Sequence, residues 1–195
     1  MKTSLRQTVS GDSGQTLLEF ALVAPLILIL MLGVVEVGYA VLDQHVVSKL
    51  SREGSNLISR DTSLADAALA MRNMSSRPVN FNNGSSKLIL SVIKKVATVG
   101  ATNYNAAVLY QRYEYGSYPG SSTLNNNGGS FGAGPEYTAV NSDNDSRLQV
   151  TNLPATMALG DMLYVTEIYS RHPLITPFDR FGVTMPTTLY SIAYF

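Results

Sequence analysis

The sequence predicts a membrane-anchored α+β fold: an N-terminal transmembrane helix that runs on into a helical stem, then a short second helix, then a small antiparallel β domain. Three observations predict it. Residues 20–35 hold no charged or strongly polar side chain. Helical periodicity continues past that run. After residue 80, four segments rich in β-branched and aromatic residues follow one another with no crossover helix between them.

The first element is the span. Apolar character resumes after Glu36 and lasts to Leu42, so residues 17–42 exceed the roughly 20 apolar residues that cross a bilayer as a helix. A core helix of a soluble protein is rarely apolar on every face over this length. Pro25 has no N–H and opposes the carbonyl of Ala21, which predicts a kink or local opening. Gly33 and Gly38 offer small faces for helix contact, but their spacing is not the GxxxG of tight membrane dimers. Lys2 and Arg6 precede the span, accompanied only by Asp12, whereas Lys49 and Arg52 follow it mixed with Asp43 and Glu53. The positive-inside rule then places the N-terminus in the cytoplasm and exports everything after Leu42.

The near boundary of the span reads Gly14-Gln15-Thr16-Leu17-Leu18-Glu19-Phe20. A charged carboxylate costs roughly 2.5–3.5 kcal/mol at the middle of a membrane helix, and less near its end, so Glu19 calls for a partner. Were the chain cut after Gly14, Gln15 would carry a free α-ammonium at the helix tip. That ammonium matches Glu19 of a neighbouring helix and would fix an axial stagger between stacked subunits.

A short basic leader ending in Gly, with Glu at the fifth following position and an aromatic at the sixth, resembles the type IV prepilin signature. The longer string from Gly14 through Glu19, Phe20 and Pro25, with Gly33-Val-Val-Glu36-Val-Gly38 after it, resembles the TadE-like family. These are pseudopilins of tight-adherence (Tad/Flp) pilus systems. The resemblance covers about residues 14–42. It implies cleavage by a prepilin peptidase between Gly14 and Gln15, and subunit assembly through Glu19 and Phe20. It further implies partnership with other pilin or pseudopilin subunits and Tad assembly proteins in a bacterial inner membrane, with the C-terminal domain periplasmic. The expected organisation is a cytoplasmic leader over 1–14, a transmembrane helix over 15–42, a pilin-like helical stem and second helix over 43–78, and a β-rich exported domain over 79–195. An uncleaved, membrane-anchored scaffold for periplasmic partners is the alternative. A conventional secretory signal ending at the small-x-small site Gly38-Tyr39-Ala40 is a third scheme, disfavoured because the apolar stretch is long and Glu36 interrupts it.

Glu36 is a second intramembrane or interfacial carboxylate. It lies about 25 Å along the axis from Glu19 and about 100° away in azimuth, so the two do not form a pair on one face. An interfacial anchor is the reading favoured over a specific bond.

Beyond the span, Tyr39, Leu42, Val46, Leu50 and Leu57 keep helical spacing, which predicts one helix from Gln15 to about Ser59 with Gly54 as its weak point. Asp61-Thr62-Ser63 is an N-cap signal for a helix ending near Ser76–Arg77, ahead of Pro78. Asn82-Asn83-Gly84 is a turn. Strands are expected over 87–97, 107–115, 162–170 and 187–195. Residues 116–147, full of Gly, Ser and Asn, read as a long surface excursion or partly disordered loop. The tyrosines at 110, 113, 115 and 118 form either an adhesive surface or, with more weight, a cross-strand packing cluster.

The composition argues against several functions. Lys+Arg and Asp+Glu number 14 each, so the chain has no electrostatic footprint for nucleic acid. It has no cysteine, hence no disulfide, thiolate metal site or cysteine nucleophile. His45 and His172 are isolated in sequence and read as surface or capping residues. No GxSxG, P-loop or GxGxxG occurs, and Gly128–Gly134 lacks the strand-to-helix context of a phosphate loop. Asn141, Asp143 and Asp145 alternate like the start of a calcium loop, but Ser146 stands where Gly is needed and Asn152 where Glu is needed, which favours a solvated turn. No catalytic constellation, cofactor, metal or small-molecule substrate is expected.

Overall fold

The computed structural model describes residues 12–124, 128–178 and 186–195. Most of the leader, including Lys2 and Arg6, lies outside the described residues. Helix α1 spans Asp12–Ile58, about 70 Å at 1.5 Å per residue. Its helical assignment runs through Pro25 without a break. Helix α2 spans Leu64–Met74. Ser63 caps it: the Ser63 hydroxyl accepts from the Asp66 amide at 3.1 Å and donates to the Asp66 carboxylate at 2.8 Å.

Four antiparallel strands follow: β1 over Ser86–Lys95, β2 over Ala107–Tyr115, β3 over Met162–Arg171 and β4 over Thr188–Tyr194. Their spatial order is β2-β1-β3-β4, so β3 returns beside β1 and both strands are central. Side chains alternate across the sheet. On one face Leu88, Leu90, Val92 and Ile168 meet Val47, Leu50 and Ile58 of α1 and Leu64, Ala67, Ala68 and Met71 of α2. On the other face Ile93, Leu109 and Val165 meet Leu124, Ala139, Leu148 and Val150.

The second core corrects the reading of residues 116–147 as a surface excursion. Outside residues 125–127, the segment folds back over the sheet. The isolated bridge Gln111↔Thr138 ties it to β2, Phe131↔Ala139 lies within it, Val108↔Gln149 lies just beyond, and Ser146–Leu148 forms a 3-10 turn. Few apolar residues are needed because one layer of chain suffices to cover a sheet. Gly129 is one adaptation to that closeness, since a Cβ there would stand 2.3 Å from Leu148 Cδ2 at a φ of +111°.

Glu167, buried on that second face, holds the covering segment by its carboxylate. It accepts from the Thr123 amide and hydroxyl, each at 2.7 Å, from the Ser122 hydroxyl, and from the Tyr190 hydroxyl at 2.9 Å. Burial is the main cause that pushes the Tyr190 hydroxyl well above its ordinary pKa, and the Glu167 charge adds to it. Arg112, half-buried nearby, donates to Ser91 at 3.3 Å and Ser122 at 2.9 Å. Desolvation lowers its pKa, against the pull of Glu167 and Glu114.

The tyrosine cluster is a packing cluster. Tyr113 stacks on Tyr137 with centroids 4.5 Å apart and on Tyr115 at 6.5 Å, and the Arg72 guanidinium lies 4.3 Å over the Tyr115 ring. The 141–145 segment is a hydrogen-bonded turn. Asp143 accepts from Thr98 at 2.7 Å and Lys94 at 3.4 Å, and Asp145 accepts from Arg147.

Candidate functional site

The candidate site is α1, which has two unlike halves. From residue 14 to residue 31 every residue is exposed except half-buried Ala24. Leu17 and Leu18 are each 70% exposed and Leu22 is 73% exposed. Among the described residues, the chain's own domain therefore covers almost nothing over about 27 Å of apolar helix. That length is close to the roughly 30 Å of a hydrocarbon core. Glu19 stands at the entry to this bare stretch, and its carboxylate accepts from the Gln15 side chain at 3.1 Å, one helical turn back. Phe20 beside it is 68% exposed. Gly14, Gln15, Glu19 and Phe20 thus share the first turns of one exposed helix, with Pro25 further along it.

Beside the apolar contacts of Val47, Leu50 and Ile58, polar residues dock the outer half on the sheet. The Gln44 side chain donates to the Tyr190 carbonyl at 2.9 Å, the Ser51 and Ser191 hydroxyls bond at 2.8 Å, and the Ser55 hydroxyl donates to the Ala193 carbonyl at 2.9 Å. Because Tyr164 and Phe195 exchange both backbone bonds, alternation turns the Tyr190 carbonyl to the outer edge of β4. Gln44 therefore caps an edge group that lacks a strand partner.

Between the halves lies a buried cluster that the sequence reading missed. Glu36 is fully buried. Its carboxylate accepts from the Ile175 amide at 3.2 Å, from the Thr176 amide at 2.8 Å and from the Thr176 hydroxyl. His172 Nε2 lies 3.3 Å from Glu36 Oε1, and His172 Nδ1 lies 2.7 Å from Asp43 Oδ2. Two expectations are corrected here. Glu36 has specific partners within the chain in place of a free interfacial carboxylate, and His172 is buried in place of lying on the surface. The physical reason is that the loop after β3 descends along α1 and brings its donors to the carboxylate. Phe178 closes the contact, its ring 3.7 Å from where a Cβ of Gly33 would be. His45, by contrast, is exposed, as expected.

The arrangement binds a loop to a helix; it does not present a reactive group. The two carboxylates take opposite nitrogens of one imidazole, so they do not converge on a common point where a metal would sit. Among the described residues no group of three or more His, Cys, Asp or Glu is placed to hold a metal ion.

No curated protein and no solved structure matches the chain. One family model does, described as TadE-like protein, and it matches residues 14–56. The match takes in the bare stretch, Glu36, Asp43 and the serines that dock on β4. The similarity to TadE-like protein thus covers residues 14–56, less than a quarter of the chain.

Proposed function

We propose that the chain is a minor pseudopilin-type structural or assembly subunit of a Tad/Flp pilus machine, held in the bacterial inner membrane by the TadE-like helix with its β domain in the periplasm. The observation that carries this reading is the bare helix over residues 14–31, apolar, one bilayer thick and opened by Glu19. A helix with this surface needs lipid or other helices around it. Prepilin peptidase cuts between Gly14 and Gln15, where the absence of a side chain lets the scissile backbone approach the enzyme's carboxylates. The new α-ammonium of Gln15 then pairs with Glu19 of a neighbouring subunit. Glu36 also speaks for a retained helix: a cut after Ala40 would separate it from His172, Ile175 and Thr176.

N-terminal sequencing with intact mass, on protein from cells that carry the peptidase, tests the reading. The expected mature chain starts at Gln15 and stays in the membrane fraction. A start at Val41 with a soluble product would mean secretion, and an intact Met1 would mean an uncleaved scaffold. A periplasm-only reporter fused after Phe195 is expected to be active; a cytoplasmic signal would overturn the orientation.

A further inference from the structure

We propose that the loop of residues 172–178 is a lipid-facing foot of the exported domain, seated in the interface of the outer leaflet, where it closes over Glu36. The inference rests on the reading of α1 as a membrane span. If the hydrocarbon core begins near Leu17, about 30 Å of helix ends near Glu36. Phe178 touches α1 at Gly33, and the amides of Ile175 and Thr176 bind it at Glu36. The loop therefore reaches the level at which the bilayer ends, and does not stop above it.

The surface around the junction matches that level. Val34 is 74% exposed, Val41 65% and Leu42 56%, and Val37 is exposed as well. At 100° per residue Val34 and Val41 lie on the side of α1 away from Glu36, so the helix back stays apolar while the loop covers its front. Ile175, on the loop itself, is 49% exposed. Water around this junction would face a continuous apolar collar; headgroups and upper acyl chains would not be penalised by it.

Of the seven backbone positions of the loop, two have no N–H and three have theirs met within the protein. Pro173 and Pro177 carry no N–H. The amides of Ile175 and Thr176 go to Glu36, and that of His172 goes to the Thr187 carbonyl at 2.7 Å. Irregular backbone at a membrane boundary is tolerated where its donors are met in this way. The Glu36 carboxylate in turn accepts from the Ile175 amide and from the amide and hydroxyl of Thr176.

The chain has no tryptophan, so a single introduced tryptophan reports its own depth. Three variants of the full chain serve, each in phosphatidylcholine vesicles carrying bromines either high or deep on the acyl chains. Leu26→Trp marks the middle of the span. Val99→Trp marks the hairpin turn at the end of the sheet away from His172, at a position 83% exposed. Ile175→Trp probes the foot. Ile175→Trp is expected to lose emission to the high bromines more than to the deep ones, Leu26→Trp the reverse, and Val99→Trp to keep its emission in both. If Leu26→Trp is quenched while Ile175→Trp behaves like Val99→Trp, the foot is wrong and the span stands. If Leu26→Trp is not quenched, the membrane reading fails and takes the foot with it. Because the chain lacks cysteine, Ile175→Cys carrying a nitroxide gives an independent depth from its accessibility to oxygen against a water-soluble nickel complex. Greater access to nickel than to oxygen would also overturn the foot.

Discussion

Gly54 of α1 faces Thr166 of β3 with no room for a side chain: a Cβ at Gly54 would stand 2.7 Å from Thr166 Cγ2 and 2.8 Å from Thr166 Oγ1. The glycine read from sequence as the weak point of the stem is where a side chain would collide with the sheet.

Two effects compete in Gly54→Ala. Helix propensity favours alanine by about 1 kcal/mol. Overpacking a filled contact costs about 1–3 kcal/mol. Thr166 sits on a central strand and cannot retreat, while Met71 Cε, at 3.0 Å, is the end of a flexible chain. The contact wins, so Gly54→Ala is expected to lower stability by about 1 kcal/mol or more in denaturant unfolding of the full chain in detergent. A gain in stability would show that helix propensity decides at this position.

Thr166 supplies a prediction of opposite sign. Its Oγ1 is buried without a hydrogen-bond partner. Thr166→Val keeps the shape and removes the unpaired hydroxyl, which is expected to raise stability by about 1 kcal/mol in the same assay. A loss would mean that the hydroxyl has a partner after all.

Much of the fold was legible because its signals are local. The β2 boundaries, 107–115, coincide with the strand expected there. The α2 start follows from the Ser63 cap, and the end of α1 at Ile58 falls one residue short of the expected Ser59. What was illegible depends on residues distant in sequence. Nothing near His172 announces Glu36, 136 positions away. Nothing in a Gly-, Ser- and Asn-rich stretch announces that Leu124 and Leu148 close a second core. One faint signal existed at Glu167, a lone carboxylate among Leu163, Val165 and Tyr169 on a strand face, since a carboxylate there requires donors brought from elsewhere.

Asp143 makes the turn at 141–145 acid-sensitive. The Thr98 hydroxyl, and then Lys94, hold its carboxyl below the usual carboxylate range, against the opposing effect of partial burial. A lowered folded pKa contributes stability that is complete above the unfolded value of about 3.9 and is lost as pH falls through the folded value. Protection of the Asn103 amide, which donates to the Asp143 carbonyl at 3.0 Å, is therefore expected to fall on acidification below about pH 4. Asp143→Asn is expected to remove that dependence while lowering protection at neutral pH. An unchanged acid profile in the variant would assign the sensitivity elsewhere.

The Glu36 clamp predicts local unfastening. Glu36→Gln removes the charge and leaves a single acceptor oxygen for the donors of Ile175 and Thr176, with an NH2 in place of the other. Charge-assisted bonds of this kind contribute about 1.5–3 kcal/mol. Exchange of those two amides is expected to quicken by about tenfold to a hundredfold, at about 1.4 kcal/mol per decade, while amides in β1 stay protected. Unchanged exchange at Ile175 and Thr176 would mean that the loop is held by Phe178 and its apolar neighbours alone.

Glu19→Val separates insertion from assembly. Valine in place of a carboxylate at the entry of the span makes membrane insertion no worse. The Gln15 side chain, 3.1 Å from Glu19 Oε1, is exposed and not part of the core, so its lost bond has little effect on the chain's own stability. Among the described residues Phe178 meets α1 at Gly33, far along the helix from Glu19, so the β domain is expected to fold as before. What the substitution removes is the acceptor for a neighbour's α-ammonium. The variant is therefore expected to reach the membrane in normal amount and to be cleaved after Gly14, yet to fail in co-purification with the pilus subunits and in supporting pili. Glu19→Asp keeps the charge on a shorter arm and is expected to restore part of the assembly. If Glu19→Val cells make normal pili while deletion of the whole chain abolishes them, the carboxylate has no pairing role and the bare helix assembles by packing alone.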